Sequence, residues 1–185
     1  GQVRGRVGVE RAAGVCHARV ARTGYVRRAD RAWGLYAQVV QSAALLTVLG
    51  GLAFGAGWHD AIVTAIGKIA GTPVALVGFD RFAESEIAGA AGRPMPAGFR
   101  KARRMFALAE RWELPVVTFI DTPGAYPGIE AEESGLAAEI ARTLQRMSTL
   151  ETPTIAVVVG EGGSGGALAL ALADRVLMQE GAFFS

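Results

Sequence analysis

Apolar runs alternate with amphipathic stretches from residue 60 onward, and this alternation predicts strands interleaved with helices. Two β-rich runs, residues 61–69 and 73–79, flank a short segment at 70–72, which indicates an antiparallel hairpin. Residues 98–112 follow with apolar positions at helical spacing and Arg and Lys on the opposite face. The stripe predicted to be buried consists of Phe99, Ala102, Met105, Phe106, Ala109 and Trp112.

The next elements have the pattern of an α/β fold. Residues 115–120 and 152–159 are apolar runs without alternation, as expected for parallel strands that are covered on both faces. Between them, residues 132–150 predict a helix, and a shorter helix, ALALALAD, follows the glycine cluster that ends the second run. We therefore expect βαβ units with right-handed crossovers, whose ligands bind at the carboxyl ends of the strands.

A long uncharged stretch precedes the hairpin. Residues 32–59 carry no charged side chain, which is long enough to span a bilayer. The stretch contains Gln38, Gln41, Ser42 and five glycines, so residues 32–49 are predicted to form a buried helix followed by a glycine-rich loop. We expect no membrane segment and a cytoplasmic protein.

Composition and charge exclude several classes of function. The 185 residues are 51% hydrophobic, which suits one globular domain with a sizeable core. Cys16, His17 and His59 cannot complete a four-ligand zinc site, so no metal is expected. Residues 1–31 carry eight Arg against two acidic residues, but they lack the aromatic interleaving of nucleic-acid binders. We expect residues 1–31 to be a basic arm or linker and residues 32–185 to be the functional domain.

The glycine cluster GEGGSGG at 160–166 lies between a strand and a helix. Such a turn leaves backbone N–H groups unpaired at the helix N-terminus, where they attract an anion or a developing oxyanion. A flexible connection, or glycines that serve helix–strand packing, would explain the same residues without a ligand.

The cluster also matches two motifs of other chemistry. Gly160, Gly162 and Gly165 satisfy G-x-G-x-x-G, and Glu180 follows at the distance expected of a dinucleotide-binding domain. The run from Gly162 to Gly166 satisfies the G-x-S-x-G of serine hydrolases around Ser164. No His follows that serine in this chain, so a triad could be completed only by a C-terminal continuation.

A second turn, DTPGAYPG at 121–128, follows the preceding strand. It contains two prolines and two glycines, which also fit a plain crossover loop. Because the carboxyl ends of neighbouring strands meet, we expect the two turns to face one another across a crevice. Amides from both turns would suit the stabilisation of an enolate or a ureido oxyanion.

Together these motifs resemble one family. FIDTPGAYPG and GEGGSGGALA, separated by a helix of this length, closely resemble the α subunit of the bacterial acetyl-CoA carboxylase carboxyltransferase. The resemblance covers residues 60–185, and RRADRAW at 27–33 faintly resembles a segment of chains in which β and α portions are fused. It implies a crotonase-like fold of repeated ββα units. Since residues 175–185 predict a strand, a turn and the start of another strand, we expect the chain to be truncated at its C-terminus.

The resemblance also implies the chemistry. The family transfers a carboxyl group from carboxybiotin, delivered by a biotin carboxyl carrier protein charged by biotin carboxylase, to acetyl-CoA, and so forms malonyl-CoA for fatty acid biosynthesis. Carried over, the Gly165 and Gly166 amides would form the oxyanion hole. The residues expected to bind biotin or shape its site are Gly162, Gly163, Gly124, Ala125 and Tyr126.

The resemblance also names partners. It implies a β subunit or fused β half as the acetyl-CoA side of the site. The composition of the basic arm separately leads us to expect no nucleic-acid partner. LGGLAFGAGWH at 49–59 departs from the acidic stretch usual there, which puts contacts made by that segment in doubt.

Overall fold

The computed structural model describes the backbone of residues 9–12 and 15–18 and all of residues 60–185. The predicted helix at 32–49 and its glycine-rich loop lie outside the described residues. In chain order the elements are β1 (Val9–Ala12), β2 (Val15–Ala18), β3 (Ile62–Ile69), β4 (Thr72–Phe79), α1 (Pro96–Arg111), β5 (Val116–Thr122), α2 (Ile129–Glu133), α3 (Leu136–Thr149), β6 (Thr154–Gly162), α4 (Ser164–Ala171), β7 (Arg175–Gln179) and β8 (Phe183–Phe184).

The strands form one mixed sheet in the order β1-β2-β7-β6-β5-β4-β3, with β8 pairing the end of β6. The four strands from β4 to β7 are mutually parallel, as predicted. β3 and β4 form the predicted antiparallel hairpin. Its turn residues Ala70 and Gly71 both have positive φ, 49° and 83°, the combination that matches the twist of two-residue hairpins. Two strands of the basic arm add to the edge at β7.

The core explains why the parallel strands show no alternation. Val116 and Ile120 of β5 pack into the main cluster beneath the helices, whereas Val117 packs into a second cluster with Ile155 and Leu177. Both faces of the strand are therefore buried, and the prediction from its apolar run is confirmed.

Helix α1 buries most of its predicted stripe. Phe99 and Phe106 are fully buried, but Trp112 is 52% exposed, so that part of the prediction is wrong. The helix ends at Arg111, and the chain turns at Trp112 and at Glu113, which has a positive φ of 53°, so the indole does not lie on the helical face. Lys101 is also buried, against the expectation that every basic residue lies on the solvent face.

A backbone N–H group at the N-terminus of α1 donates to a side chain from outside the helix. Met95 at the N-cap position provides no side-chain hydrogen bond. Instead, buried Asp60 accepts the N–H of Gly98 at 2.6 Å and that of Ile62 at 3.2 Å. Burial raises the pKa of Asp60, although these hydrogen bonds and the nearby Lys101 charge act to lower it.

The single helix predicted at 132–150 is divided in two. Gly135 has φ of 79° and lies between α2 and α3. Its left-handed backbone cannot continue an α-helix. The helical spacing of apolar residues is not interrupted at SGL, so it does not indicate the division.

The strand and the helix on either side of the glycine cluster extend further into it than predicted. β6 extends to Gly162, beyond the predicted end at residue 159, and α4 begins at Ser164 instead of at residue 167. The turn between strand and helix is therefore much shorter than the seven-residue cluster. In residues 60–185, no helix is long and apolar enough to cross a membrane.

Candidate active site

The two glycine-rich turns follow adjacent parallel strands and touch each other. The N–H of Gly163 donates to the carbonyl oxygen of Thr122 at 2.9 Å. A Cβ added to Gly163 would lie 2.5 Å from the Pro123 carbonyl, and one added to Gly166 would overlap the backbone nitrogen of Ala125. The turns are thus packed backbone to backbone, closer than the crevice expected between them, and the glycines are what permit this approach.

Among the described residues 60–185, two backbone amides in the first turn of α4 have no acceptor. Ser164 N–H donates to the carbonyl oxygen of Ser185 at 2.9 Å, and Ala167 N–H donates to that of Gly163 at 3.2 Å. Within residues 60–185, the N–H groups of Gly165 and Gly166 have no acceptor. They belong to the two residues that the family resemblance implies as oxyanion donors, and within residues 60–185 the adjoining Ala125 N–H has no acceptor either.

Ser164 occupies a strained position between these glycines. Its φ is 58°, in the left-handed region that costs an L-residue on the order of 1–2 kcal/mol. Its Cβ lies 3.6 Å from the position a Cβ would take on Gly124, so a side chain added there would contact it. The sharp turn resembles that of a hydrolase nucleophile, but residues 60–185 contain no His to activate the serine.

The turn at 121–128 is held by its own side chains. Buried Thr122 Oγ1 accepts the N–H of Gly124 at 3.2 Å and donates to the carbonyl oxygen of Gly92 at 3.2 Å. Gly124 has φ of 113°, which other residues rarely adopt. The Tyr126 hydroxyl donates to the Ala88 carbonyl oxygen at 3.5 Å.

A cluster of charged side chains borders the two turns, and the sequence did not predict this cluster. Arg81, just after β4, donates from Nη1 to Glu161 Oε2 at 2.5 Å and to Asp121 Oδ1 at 3.5 Å. The hydrogen bond to Glu161 raises the pKa of the Arg81 guanidinium further. The parallel order of β4, β5 and β6 was the available signal, since it brings their carboxyl ends together.

The dinucleotide-binding alternative does not fit this geometry. A Cβ on Gly160 would lie 2.5 Å from Asp121 Oδ1, and one on Gly162 would overlap the ring of Phe184. The first two glycines of the motif are therefore covered, one of them by a carboxylate that would repel a pyrophosphate. Gly162 is buried, and its lack of a side chain lets the Phe184 ring pack against the end of β6. Among residues 60–185, no three His, Cys, Asp or Glu side chains group as a metal site.

The parallel sheet with two joined glycine turns is the fold of the crotonase-like carboxyltransferases. Transcarboxylase 12S, in a structure with methylmalonyl-coenzyme A and methylmalonic acid bound, matches with a TM-score of 0.56 and 27% identity over 63% of this chain and 22% of that one. A single-chain, multi-domain long-chain acyl-CoA carboxylase matches with a TM-score of 0.54 and 27% identity, over 61% of this chain and 11% of that one. The chain itself belongs to the acetyl co-enzyme A carboxylase carboxyltransferase-like family, whose model matches residues 47–185.

Curated relatives agree with this assignment. The acetyl-coenzyme A carboxylase carboxyl transferase subunit alpha of Xanthomonas campestris pv. campestris (strain B100) is 54% identical over 65% of this chain and 38% of its own length. The Geobacter sulfurreducens subunit alpha is 52% identical over 66% and 39%. A Saccharopolyspora erythraea protein named as subunits beta/alpha is 48% identical over 70% of this chain and 23% of its own length. The chain thus spans at most about two-fifths of these relatives, and the family resemblance found in the sequence is confirmed.

Proposed function

We propose that this chain provides the biotin side of a carboxyltransferase that moves a carboxyl group from carboxybiotin to acetyl-CoA and forms malonyl-CoA. In this reaction the bond between the ureido nitrogen and the carboxyl group of carboxybiotin breaks, which releases CO2. The freed ureido nitrogen accepts a proton from the acetyl methyl group. The resulting enolate forms a carbon–carbon bond to the CO2. The proposed setting is fatty acid biosynthesis in the cytoplasm.

The observation that carries the proposal is the pair of amides at Gly165 and Gly166, which have no acceptor within residues 60–185 and lie beside the Asp121–Gly128 turn. Two N–H groups fixed at a helix N-terminus suit an oxygen that gains negative charge, because they need no reorganisation when the charge develops. The ureido oxygen of biotin is such an oxygen. In this proposal Gly124, Ala125 and Tyr126 line the same surface, and Gly163 and Gly162 hold the turn in place.

The remaining components are proposed at the level of the family. The acetyl-CoA side would come from a β subunit or a fused β half, a form for which the beta/alpha relative gives precedent. A biotin carboxyl carrier protein, charged by biotin carboxylase, would deliver carboxybiotin. We propose residues 32–185 as the carboxyltransferase domain and residues 1–31 as its basic arm.

The experiment is the replacement of Gly166 by Val in the chain assembled with a carboxyltransferase β chain. The new side chain would overlap the Ala125 nitrogen and part the two turns. We expect turnover in the reverse assay, from malonyl-CoA to biocytin, to fall ~10²-fold or more.

A matched glycine replacement controls for general damage. Gly78 lies in β4, and a Cβ there would be 3.5 Å from the nearest atom, an ordinary contact. Gly78→Ala should keep the wild-type rate. If Gly166→Val turned over at the wild-type rate, the proposal that these amides stabilise the oxyanion would be wrong.

A further inference from the structure

β6 contains an irregularity immediately before the amide-bearing turn. Ile120 pairs with Val158, but two residues later Thr122 pairs with Gly162. Residues 159–161 of β6 thus lie opposite the single residue Asp121. Bulges of this kind bend a strand and redirect the residues that follow, and they are common beside active sites.

The Asp121 side chain fills the space that the bulge opens. Its Oδ1 accepts the backbone N–H of Glu161 at 3.0 Å, a bond that the regular ladder cannot make there. A Cβ on Gly160 would lie 2.5 Å from the same oxygen and 2.7 Å from Cγ. The carboxylate therefore rests against the backbone of the bulge, and Gly160 is the residue that allows it.

Arg81 fastens this arrangement to a third strand. Its contacts to Glu161 and Asp121 link the carboxyl ends of β4, β5 and β6. All three side chains are between 25% and 35% exposed, so water screens the charges. The hydrogen bond from the Glu161 N–H to Asp121 is therefore the interaction in this cluster that defines the geometry of the bulge.

We propose that Asp121 is a positioning residue, which fixes the bulge of β6 and so aims the Gly165 and Gly166 amides. The chain from Glu161 to Ser164 is also held by its neighbours: it pairs with β8, Gly163 N–H donates to Thr122, Ser164 N–H donates to Ser185, and Gly162 accepts the Ser185 N–H. This restrained segment leads directly into α4. A change in the direction of Glu161 would therefore be transmitted to the first turn of α4. The catalytic consequence of this proposal rests on the proposed function.

Two substitutions separate the hydrogen bond from the charge. Asp121→Asn keeps the side-chain volume and an oxygen acceptor for the Glu161 N–H, and loses the charge. Asp121→Ala loses both. In the chain assembled with its β partner, we expect Asp121→Ala to lower kcat of biocytin carboxylation ~10-fold or more with little change in KM. Asp121→Asn should stay within about threefold of wild type, because the acceptor remains.

Amide hydrogen exchange of the peptide spanning 160–166 provides a readout that does not depend on activity. The Ala variant should exchange faster in this peptide, and the Asn variant should not. Asp174→Ala is the matched control: Asp174 accepts the Thr154 N–H at 2.9 Å, at the opposite end of β6. It should cost stability but leave kcat and exchange at 160–166 unchanged.

The outcomes separate this proposal from the proposed function. If the wild-type assembly carboxylates biocytin and Asp121→Ala matches it in both kcat and exchange, the positioning role is wrong. Equal losses of kcat in the Ala and Asn variants with unchanged exchange would also overturn it. If the wild-type assembly is inactive, the proposed function fails, and the exchange rates still decide whether Asp121 holds the bulge.

Discussion

The carboxylate of Asp60 and the backbone N–H of Gly98 form a hydrogen bond of 2.6 Å that joins the start of β3 to the first turn of α1. A Cβ on Gly98 would overlap the Asp60 carboxylate. A residue that precedes the hairpin thus caps a helix 38 positions later in the chain, and the helix start at Pro96 depends on both residues.

Gly98→Ala should destabilise the protein, because the new methyl group would push the buried carboxylate from its site. We expect a loss of about 1–3 kcal/mol in the free energy of unfolding, measured by urea denaturation. The double variant Asp60→Ala/Gly98→Ala has no clash and should be no less stable than Asp60→Ala alone. Simple additivity of the two losses would show that Gly98 acts through another contact.

Two buried carboxyl groups should give stability opposite dependences on pH. Burial raises the pKa of Asp60, so its contribution is fully present below the unfolded value near 3.8 and is lost as pH rises through the folded pKa. For Glu139, burial also acts to raise the pKa, but the hydrogen bond from Arg103 and the charges of Arg103, Arg100 and Arg142 outweigh it and lower the pKa. The contribution of Glu139 is present above its unfolded value near 4.5 and is lost as pH falls through the folded pKa.

Unfolding free energies of Asp60→Asn and Glu139→Gln, followed from acid to neutral pH, test these signs. Relative to wild type, the Asn variant should gain stability as pH rises, and the Gln variant should lose it. Parallel curves for wild type and either variant would mean that the corresponding carboxyl has the same pKa folded and unfolded.

The sequence predicted most of the fold because its signals are local. The apolar runs of β5 and β6, the hairpin turn at Ala70 and Gly71, and the stripe of α1 each follow from periodicity or from a turn residue. Trp112 and Gly135 were misjudged for the same reason: spacing alone does not report where a helix ends. The sequence SGL can continue a helix or, as here, interrupt it.

The candidate site was predicted in part. The strand–glycine–helix order, which is visible along the chain, predicts free amides at the start of the helix, and the family resemblance implies that they are those of Gly165 and Gly166. The Arg81, Asp121 and Glu161 cluster depends on contacts between residues 40 and 80 positions apart, and on a bulge in β6 that no local pattern indicates. Tertiary pairing, which a single sequence does not display, determines both.

Ser164 provides a final prediction, because its strained backbone and its position between two glycines separate structural from chemical roles. With φ of 58°, Ser164→Gly should relieve strain of about 1 kcal/mol, partly offset by the greater freedom of glycine in the unfolded chain. We expect a small rise in the urea midpoint for Ser164→Gly and essentially none for Ser164→Ala, which keeps the strain. Both variants should retain carboxyl transfer to biocytin within about threefold, since backbone amides and not the hydroxyl stabilise the oxyanion in our proposal. Loss of a hydrolytic activity in both variants would instead favour the serine-hydrolase interpretation of this turn.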